Sequence, residues 1–336
     1  MSVPDRNLAL EMVRGTEAAA MAAGRWMGRG DRSGVNWAAI NAMHFILSNV
    51  EMDGSIVIGE GEHGEAPMLY SGENLGCGDE PRIDIAVKAV DGTRLTANGL
   101  PNAVSVVAFA DKGALFNPKN ISYMKKIAVG PKAAHAINIQ ASAADNVKAV
   151  ARALRKSVED VTVVVLDRPR HEEIVKEIRA LHARIHLIPD GDIAGALSTC
   201  KPGSGNDMLI GIGGSAEAVI SACAFKCMGG NMQCKLWPRN DEERDRCKEM
   251  GIDVNKVLKL ADLVNSDNVF FAATGITDGD WLKGVRYTGA GIETYSVVMR
   301  AKSGTIRQIN AIHNVRKLDE ISGIKYGATT AGCSFL

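Results

Sequence analysis

VTVVVLDRPRH at 161–171, ARIHLIPDGDIAGA at 183–196 and MLIGIGGSAEAVI at 208–220 repeat one arrangement: a short apolar run, a polar loop, then a helical run. The apolar runs Val161–Leu166, Arg184–Ile188 and Met208–Ile212 are too short for helices, and most are rich in β-branched residues, so they read as strands. Strand, loop and helix in alternation imply right-handed crossovers, with ligand groups on loops at the carboxyl ends of strands. Those loops are Asp167-Arg168-Pro169-Arg170-His171, Asp190-Gly191-Asp192 and Gly213-Gly214-Ser215, the last opening a helix that carries Glu217. Later runs at Val269–Ala273, Tyr295–Arg300 and Thr305–Asn310 favour a mixed sheet over a purely parallel one.

Upstream, residues 5–28 read as an amphipathic helix on the spacing of Leu8, Leu10, Met12, Val13 and Ala18, broken by the glycines of 28–34. A second helix is predicted from about Trp37 to Leu47. Ser55–Gly59 is a short buried strand with Glu60-Gly61-Glu62 at its end. Ile83–Val87 is another, delivering Lys88-Ala89-Val90-Asp91-Gly92-Thr93 to a turn. Val104–Ala110 and Ala114–Phe116 read as a hairpin across Asp111-Lys112-Gly113. The Gly-, Ala- and Thr-rich last dozen residues are expected to fray.

Composition narrows the class. At 336 residues and 46% hydrophobic, the chain can bury a large core and is not disordered. Lys+Arg and Asp+Glu balance at 39 each, which removes the electrostatic argument for nucleic acid or an anionic membrane and leaves small metabolites as default partners. No stretch approaches the roughly 20 apolar residues of a membrane span, and the charged N-terminal segment is neither a secretory signal nor a transit peptide. The seven cysteines are scattered, and Cys223 and Cys227 are four apart in an apolar helical run, so they read as buried thiols of a reducing cytoplasm.

Three acidic loops each follow an apolar strand. Glu60 and Glu62 flank a glycine and can face one cavity if Gly61 takes an unusual backbone conformation. Asp91-Gly92-Thr93 sets an acid and a hydroxyl around a tight turn. Glu217 lies in the first turn of a helix after a glycine-rich loop whose free amides suit phosphate. Carboxylates converging from separate loops are how Mg²⁺ or Mn²⁺ is held beside a phosphoryl group, and solvated loop acids are the plain alternative.

The stretches IVIGEGEHGEAPMLY at 56–70, DGT at 91–93, SYMKKIAVGP at 122–131, DRPRH at 167–171, IPDGDIAGA at 188–196, GIGGSAEAVISA at 211–222 and FFAATGITDGD at 270–280 resemble class II fructose-1,6-bisphosphatase. The opening PDRNLALEMVRGTEAAAMAAGRWMGRGD at 4–31 resembles its actinobacterial branch. The resemblance runs in order along nearly the whole chain. It implies an α/β fold, the layered αβαβα sandwich of the lithium-sensitive, metal-dependent sugar and inositol phosphatases. An N-terminal subdomain, 1–160, is expected to carry most phosphatase loops. A C-terminal subdomain, 161–336, is expected to carry the sugar-phosphate loops and Glu217, the two packing as one unit. It also implies a cytoplasmic homo-oligomer, dimer or tetramer, that removes the 1-phosphate of fructose 1,6-bisphosphate and uses neither nucleic acid nor membrane.

Carried over residue by residue, Glu60, Asp91 and Glu217 match metal ligands, for Mg²⁺ or Mn²⁺. Thr93 matches the hydroxyl that positions the attacking water. Tyr123, Arg168, Arg170, Asp190 and Asp192 match groups that hold the sugar and its distal phosphate. Gly92 and Gly214 belong with Asp91, Thr93 and Glu217 to the loops that approach the substrate, and Glu62 joins Thr93 and Lys88 as a catalytic candidate.

The departures cluster at the reaction centre. The family pattern Asp-Pro-Ile-(Asp/Glu)-Gly-Thr reads Lys88-Ala89-Val90-Asp91-Gly92-Thr93, so a metal-bridging aspartate has become Lys88. A second family aspartate reads Asn36, a basic residue that is usually lysine reads Arg32, and Pro-Glu-Gly around the helix acid reads Ala216-Glu217-Ala218. A unit positive charge about 4 Å from a divalent ion costs roughly 8 kcal/mol at an effective dielectric near 20. Lys88 is therefore expected to take a metal position as a cation paired with Glu60, Asp91 or Glu217. Three readings stay open: an impaired or altered sugar-phosphate phosphatase, with a metal only if its site survives; a sugar-phosphate-binding paralogue without turnover; and a metal-independent enzyme in which Lys88 is base, clamp or amine. A lysine ringed by acids stays protonated, which argues against the amine.

Plainer readings attach to other residues. His171 is a local hydrogen-bonder at a helix start, and His182 and His186 straddle a helix–strand junction rather than sharing a face. Trp237 and Trp281 are packing residues. Arg239–Arg246 is a solvated helix face that could also serve a subunit contact.

Overall fold

The computed structural model describes residues 8–119 and 121–326. Two sheets organise them. The larger runs, edge to edge, Arg286–Thr288, Gly291–Arg300, Phe270–Gly275, Val104–Asp111, Arg82–Asp91, Asp53–Ile58 and Asn74–Leu75, with Thr305–His313 added beside Gly291–Arg300. The smaller runs Leu258–Lys259, Asn231–Leu236, Tyr123–Val129, Met208–Gly214, Thr162–Leu166 and Arg184–Ile188. Its last three strands are parallel, as the strand–loop–helix reading required, and Tyr123–Val129 enters antiparallel to Met208–Gly214. Each sheet is therefore mixed.

Hydrophobic pattern sets the layers. Helices Leu8–Gly24 and Arg32–Ser48 cover one face of the larger sheet, their core built from Met12, Met43 and Leu47 against Ile85, Val107 and Phe270. The run Ala18–Ala23 is buried almost throughout, because small side chains let this helix lie close to both its neighbour and the sheet. Helices Asp192–Ser198 and Ser215–Met228 fill the space between the sheets. Buried on every side, Ser215–Met228 shows no clean amphipathic stripe, and it holds Cys223 and Cys227 as buried thiols. Helices Ala143–Leu154 and Glu172–Ala180 close the outer face of the smaller sheet. The architecture is the layered αβαβα sandwich. No helix among the described residues is long and apolar enough to cross a membrane.

Several sequence expectations shift. The second helix begins at Arg32, five residues early, because Asp31 caps it by accepting from the Gly34 amide at 2.9 Å. The first helix, expected over 5–28, runs Leu8–Gly24 among the described residues and gives way to turns at 25–28, short of its expected end, and most of the expected fraying segment lies outside the described residues. The hairpin across 111–113 does not form. Val104–Asp111 pairs with Arg82–Asp91 and Phe270–Gly275 instead, and Leu115 is drawn to Val264 while its amide donates to Asp84 at 3.1 Å. The Arg82–Asp91 strand continues through Lys88 to Asp91, with an irregularity between those two residues, so the lysine projects from a strand rather than a turn.

One buried acid sits far from the loops. Glu17 faces the larger sheet, where Thr294 donates to its Oε1 at 3.1 Å and also meets His313 Nε2 at 2.8 Å. Burial raises the Glu17 pKa from 4.5 to about 7, and the hydroxyls of Thr294 and Ser296 offset only part of that. Because the folded value is the higher, this group's contribution is fully present below about pH 4.5 and is lost as pH rises through 7. Ionised Glu17 then costs on the order of 3 kcal/mol. Glu17→Gln is expected to melt progressively higher than the parent as pH is raised from 5 to 8. A melting difference that stays flat across that range would exclude Glu17 as the titrating group.

Candidate active site

The loops at the carboxyl ends of Thr162–Leu166, Arg184–Ile188 and Met208–Gly214 converge on a cavity of about 410 Å³. Asp91, Tyr123, Arg168, Arg170, Asp190, Asp192, Gly214 and Glu217 all line it. Ten sequence-chosen positions were assigned to substrate, and these eight reach one wall; Gly92 and Thr93 continue directly from Asp91.

Backbone bonds hold the arginines. Arg170 donates through Nε and Nη2 to the Ile212 carbonyl at 3.1 and 2.9 Å. Arg168 donates to the Asp167 and Pro189 carbonyls, each at 2.8 Å, and Arg94 reaches the same Pro189 oxygen at 2.6 Å. Pro189 precedes Asp190, so this carbonyl ties three loops together next to an acid of the pocket. His171 braces the floor: its Nδ1–H donates to Leu166 O at 2.6 Å and its Nε2 accepts from the Ile212 amide at 2.7 Å. Burial lowers its pKa, which keeps this ring neutral, with one donor and one acceptor. It is a strut, as expected.

Gly92 has φ +90, the left-handed conformation that lets Asp91 end a strand while Thr93 starts a helix. Gly214 is needed for another reason: a methyl group there would collide with the Glu217 carboxylate, which lies against this backbone. Among the described residues that carboxylate has neither a hydrogen bond nor an ion pair.

The reaction centre is where charge is unusual. Lys88 Nζ sits 3.0 Å from Glu60 Oε2, and the other oxygen of Glu60 accepts from the Ala89 amide at 2.5 Å. The Glu60 carboxylate holds the Lys88 pKa above its ordinary value; burial pulls it down, and Glu217 and Asp91 add to the rise. Asp91 is buried, accepts from the Ile193 amide at 3.0 Å, and has its pKa pushed well up by burial and by Glu217, Asp192 and Asp190. Thr93 donates to Asn36 Oδ1 at 2.6 Å. Glu60 and Glu62 do not face one cavity. The Glu60 amide is bonded to Leu69 O, Gly61 is not left-handed, and the chain turns at Glu62, whose carbonyl accepts from Glu65 and Ala66. Glu62 therefore lines an adjoining cavity of about 330 Å³ with Ser215 and Arg239.

These residues do not fit a two-ion centre. Both Glu60 oxygens are engaged, a protonated ammonium cannot ligate, and no group of three or more His, Cys, Asp or Glu among the described residues is arranged to hold a metal ion.

Three residues of the site were missed. Lys126 is 2% exposed and is ion-paired with Asp192. Burial pulls its ammonium down, but the Asp192 carboxylate outweighs that and leaves the pKa raised. Its signal was present, since it alternates in phase with the buried Met124 and Ala128. Arg239 also lines the pocket, its guanidinium 6.0 Å from the Tyr123 ring, held by a 2.6 Å pair with Glu243. Arg94 enters through Pro189. Only folding brings these last two to the site.

The chain matches the model of bacterial fructose-1,6-bisphosphatase, glpX-encoded, over residues 6–313. It belongs to the class II fructose-1,6-bisphosphatase family. It is 45% identical over 327 residues to fructose-1,6-bisphosphatase 1 class 2 of Escherichia coli K12, covering 94% of this chain and 97% of that protein. The class 2 fructose-1,6-bisphosphatases of Escherichia coli O6:H1 and Shigella flexneri match with the same identity and coverage. The residues that the resemblance assigned to the sugar phosphate line one cavity, and Lys88, at the position it assigned to a metal-bridging aspartate, is paired with Glu60.

Proposed function

We propose that this class II family member hydrolyses the 1-phosphate of fructose 1,6-bisphosphate or a similar sugar phosphate, at a centre altered by Lys88 and Asn36. The observation that carries the reading is the convergence of Tyr123, Arg168, Arg170, Asp190, Asp192 and Glu217 on one cavity in a chain 45% identical to named fructose-1,6-bisphosphatases. Arg168 and Arg170 offer planar donors to a distal phosphate, and Asp190 and Asp192 accept sugar hydroxyls. Water bonds to phosphorus as the ester P–O bond breaks, and the sugar oxygen leaves with a proton. Thr93, donating to Asn36, keeps its oxygen free to accept from that water. Asn36 cannot take the water's proton as a carboxylate could, which leaves Glu217 for that role. Lys88, kept protonated by Glu60, serves as a fixed positive charge near the reacting phosphoryl group and not as a base or amine.

Losing the carboxylate at 36 reduces turnover relative to the family by about 10²-fold or more. Membership of the family brings an expectation of Mg²⁺ or Mn²⁺, and the donor set argues against it, so residual turnover is expected to be indifferent to EDTA. A second reading, a binding paralogue without turnover, is favoured by the same Lys88–Glu60 pair. The free cysteines among the described residues support a cytoplasmic setting, and the edge of Thr305–His313, unpaired among the described residues and with exposed Ile306 and Ile312, supports a homo-oligomer.

The test is phosphate release from fructose 1,6-bisphosphate with Mn²⁺, with Mg²⁺ and with EDTA, beside thermal shifts by the same compound. Slow release in all three supports the proposal. Stabilisation without release moves the protein to the second reading, and neither effect removes both.

A further inference from the structure

The Tyr123–Val129 strand carries two consecutive lysines, so the sheet sends them to opposite faces. Lys126 goes inward to Asp192. Lys125 goes outward, directly opposite Lys235 of the neighbouring antiparallel strand. Like charges directly opposite across a strand pair are destabilising. Here nothing relieves them: among the described residues neither lysine makes a hydrogen bond or ion pair, although both are half-buried.

The two lysines line a cavity of about 480 Å³ separate from the candidate active site. Arg244 adds a third cation, and its ion pair among the described residues, 3.9 Å to a fully exposed Asp241, leaves its charge available. Gln140 and Asn255 supply further polar groups, Trp237 forms part of an apolar wall, and no acid lines the cavity. Three cations, two amides and an aromatic face around an acid-free recess suit a compact dianion on an organic frame.

We propose that this recess is a second ligand site, for a small phosphorylated or phosphonylated organic anion held by Lys125, Lys235 and Arg244. The unrelieved lysine pair is then the stability cost of a binding site. The inference does not depend on the reaction at the first cavity. Trp237 lines the second cavity, so its fluorescence responds to occupancy there, and Arg170→Ala separates that response from any reaching it through Tyr123 of the first, 6.2 Å away between ring centroids.

Phenylphosphonate, a dianion with no hydrolysable ester bond, is the probe. Calorimetry and tryptophan fluorescence follow its binding to the full chain, to Arg170→Ala, to Lys125→Met/Lys235→Met and to Lys235→Gln. The expected result is a binding class that survives Arg170→Ala and is weakened at least about tenfold in both lysine variants. Without ligand, Lys235→Gln should melt about 1–2 °C above the parent, because a like-charge pair has been removed. Identical affinity and stoichiometry in parent and lysine variants would overturn the proposal. So would absence of binding with a changed oligomeric state in Lys235→Gln, which assigns the cations to a contact between copies. Lys235→Gln decides the matter if the double variant does not fold.

Discussion

Lys88→Asp combined with Asn36→Asp is expected to make both stability and turnover follow divalent metal. In the native chain the Lys88 ammonium neutralises Glu60 beside Asp91 and Glu217. Replacing it with a carboxylate leaves the buried Asp91 and the partly buried Glu60 and Glu217 without a cation. Removing one partner of a fully buried pair costs about 3–5 kcal/mol; Lys88 is 24% exposed, so the cost here is smaller, and the EDTA-treated double variant should still melt below the parent. A divalent ion then has the oxygen donors that Lys88 had denied it, and occupancy at 100 times Kd returns about 2.7 kcal/mol. Phosphate release should rise by about 10² or more once Asn36→Asp also restores a proton acceptor beside Thr93. Calorimetry with Mn²⁺, melting with and without EDTA, and phosphate release are read together. If the double variant neither binds Mn²⁺ nor gains turnover, these two residues are not the main alteration of the centre.

Lys126→Met is expected to cost the protein more than any exposed substitution on the same strand. Lys126 is buried behind Asp192, and a methionine of similar length leaves that aspartate charged, buried and unpaired. The same 3–5 kcal/mol scale for a broken buried pair corresponds to a melting temperature lower by roughly 5–10 °C. Lys126→Met/Asp192→Leu should recover much of the loss, because an apolar pair replaces an ion pair without leaving a lone charge. It should not recover affinity for sugar phosphate, since Asp192 lines the cavity. A Lys126→Met protein melting within a degree of the parent would show that the pair contributes nothing to the fold.

Much of the candidate site was legible before folding, for local reasons. Asp-Gly-Thr and Asp-Gly-Asp turns follow apolar strands, and a strand that ends in Asp-Arg-Pro-Arg puts its arginines where strands of a parallel sheet deliver ligand groups. The strand–loop–helix order marked the loops that carry Arg168, Arg170, Asp190, Asp192 and Glu217, the resemblance supplied their roles, and the five share a wall. Arg239 was not found, because a charged run before a helix reads as a solvated surface until Glu243 is seen to turn it toward Tyr123. Glu62 was placed with Glu60, although backbone bonds at 60 and 62 send their side chains apart. The hairpin after Val104–Asp111 failed because Phe270–Gly275, far along the chain, offered that strand an extended partner in register.

From its sequence alone, this protein's strand–loop–helix order was determined, because periodicity and turn chemistry are local properties, while its layered class and the reading of Lys88 at a family metal-ligand position came from the resemblance. Which acid would neutralise Lys88 was settled by neither. Glu60, Asp91 and Glu217 were equal candidates along the chain, and only the pairing of Asp53–Ile58 with Arg82–Asp91 in one sheet brings Glu60 within 3.0 Å. Lys125 and Lys126 make the same point. Strand alternation says that they part, but the neighbouring elements decide that one meets Asp192 and the other faces Lys235. Charge pairing in a folded chain is a matter of distance and burial, and both are created by tertiary packing.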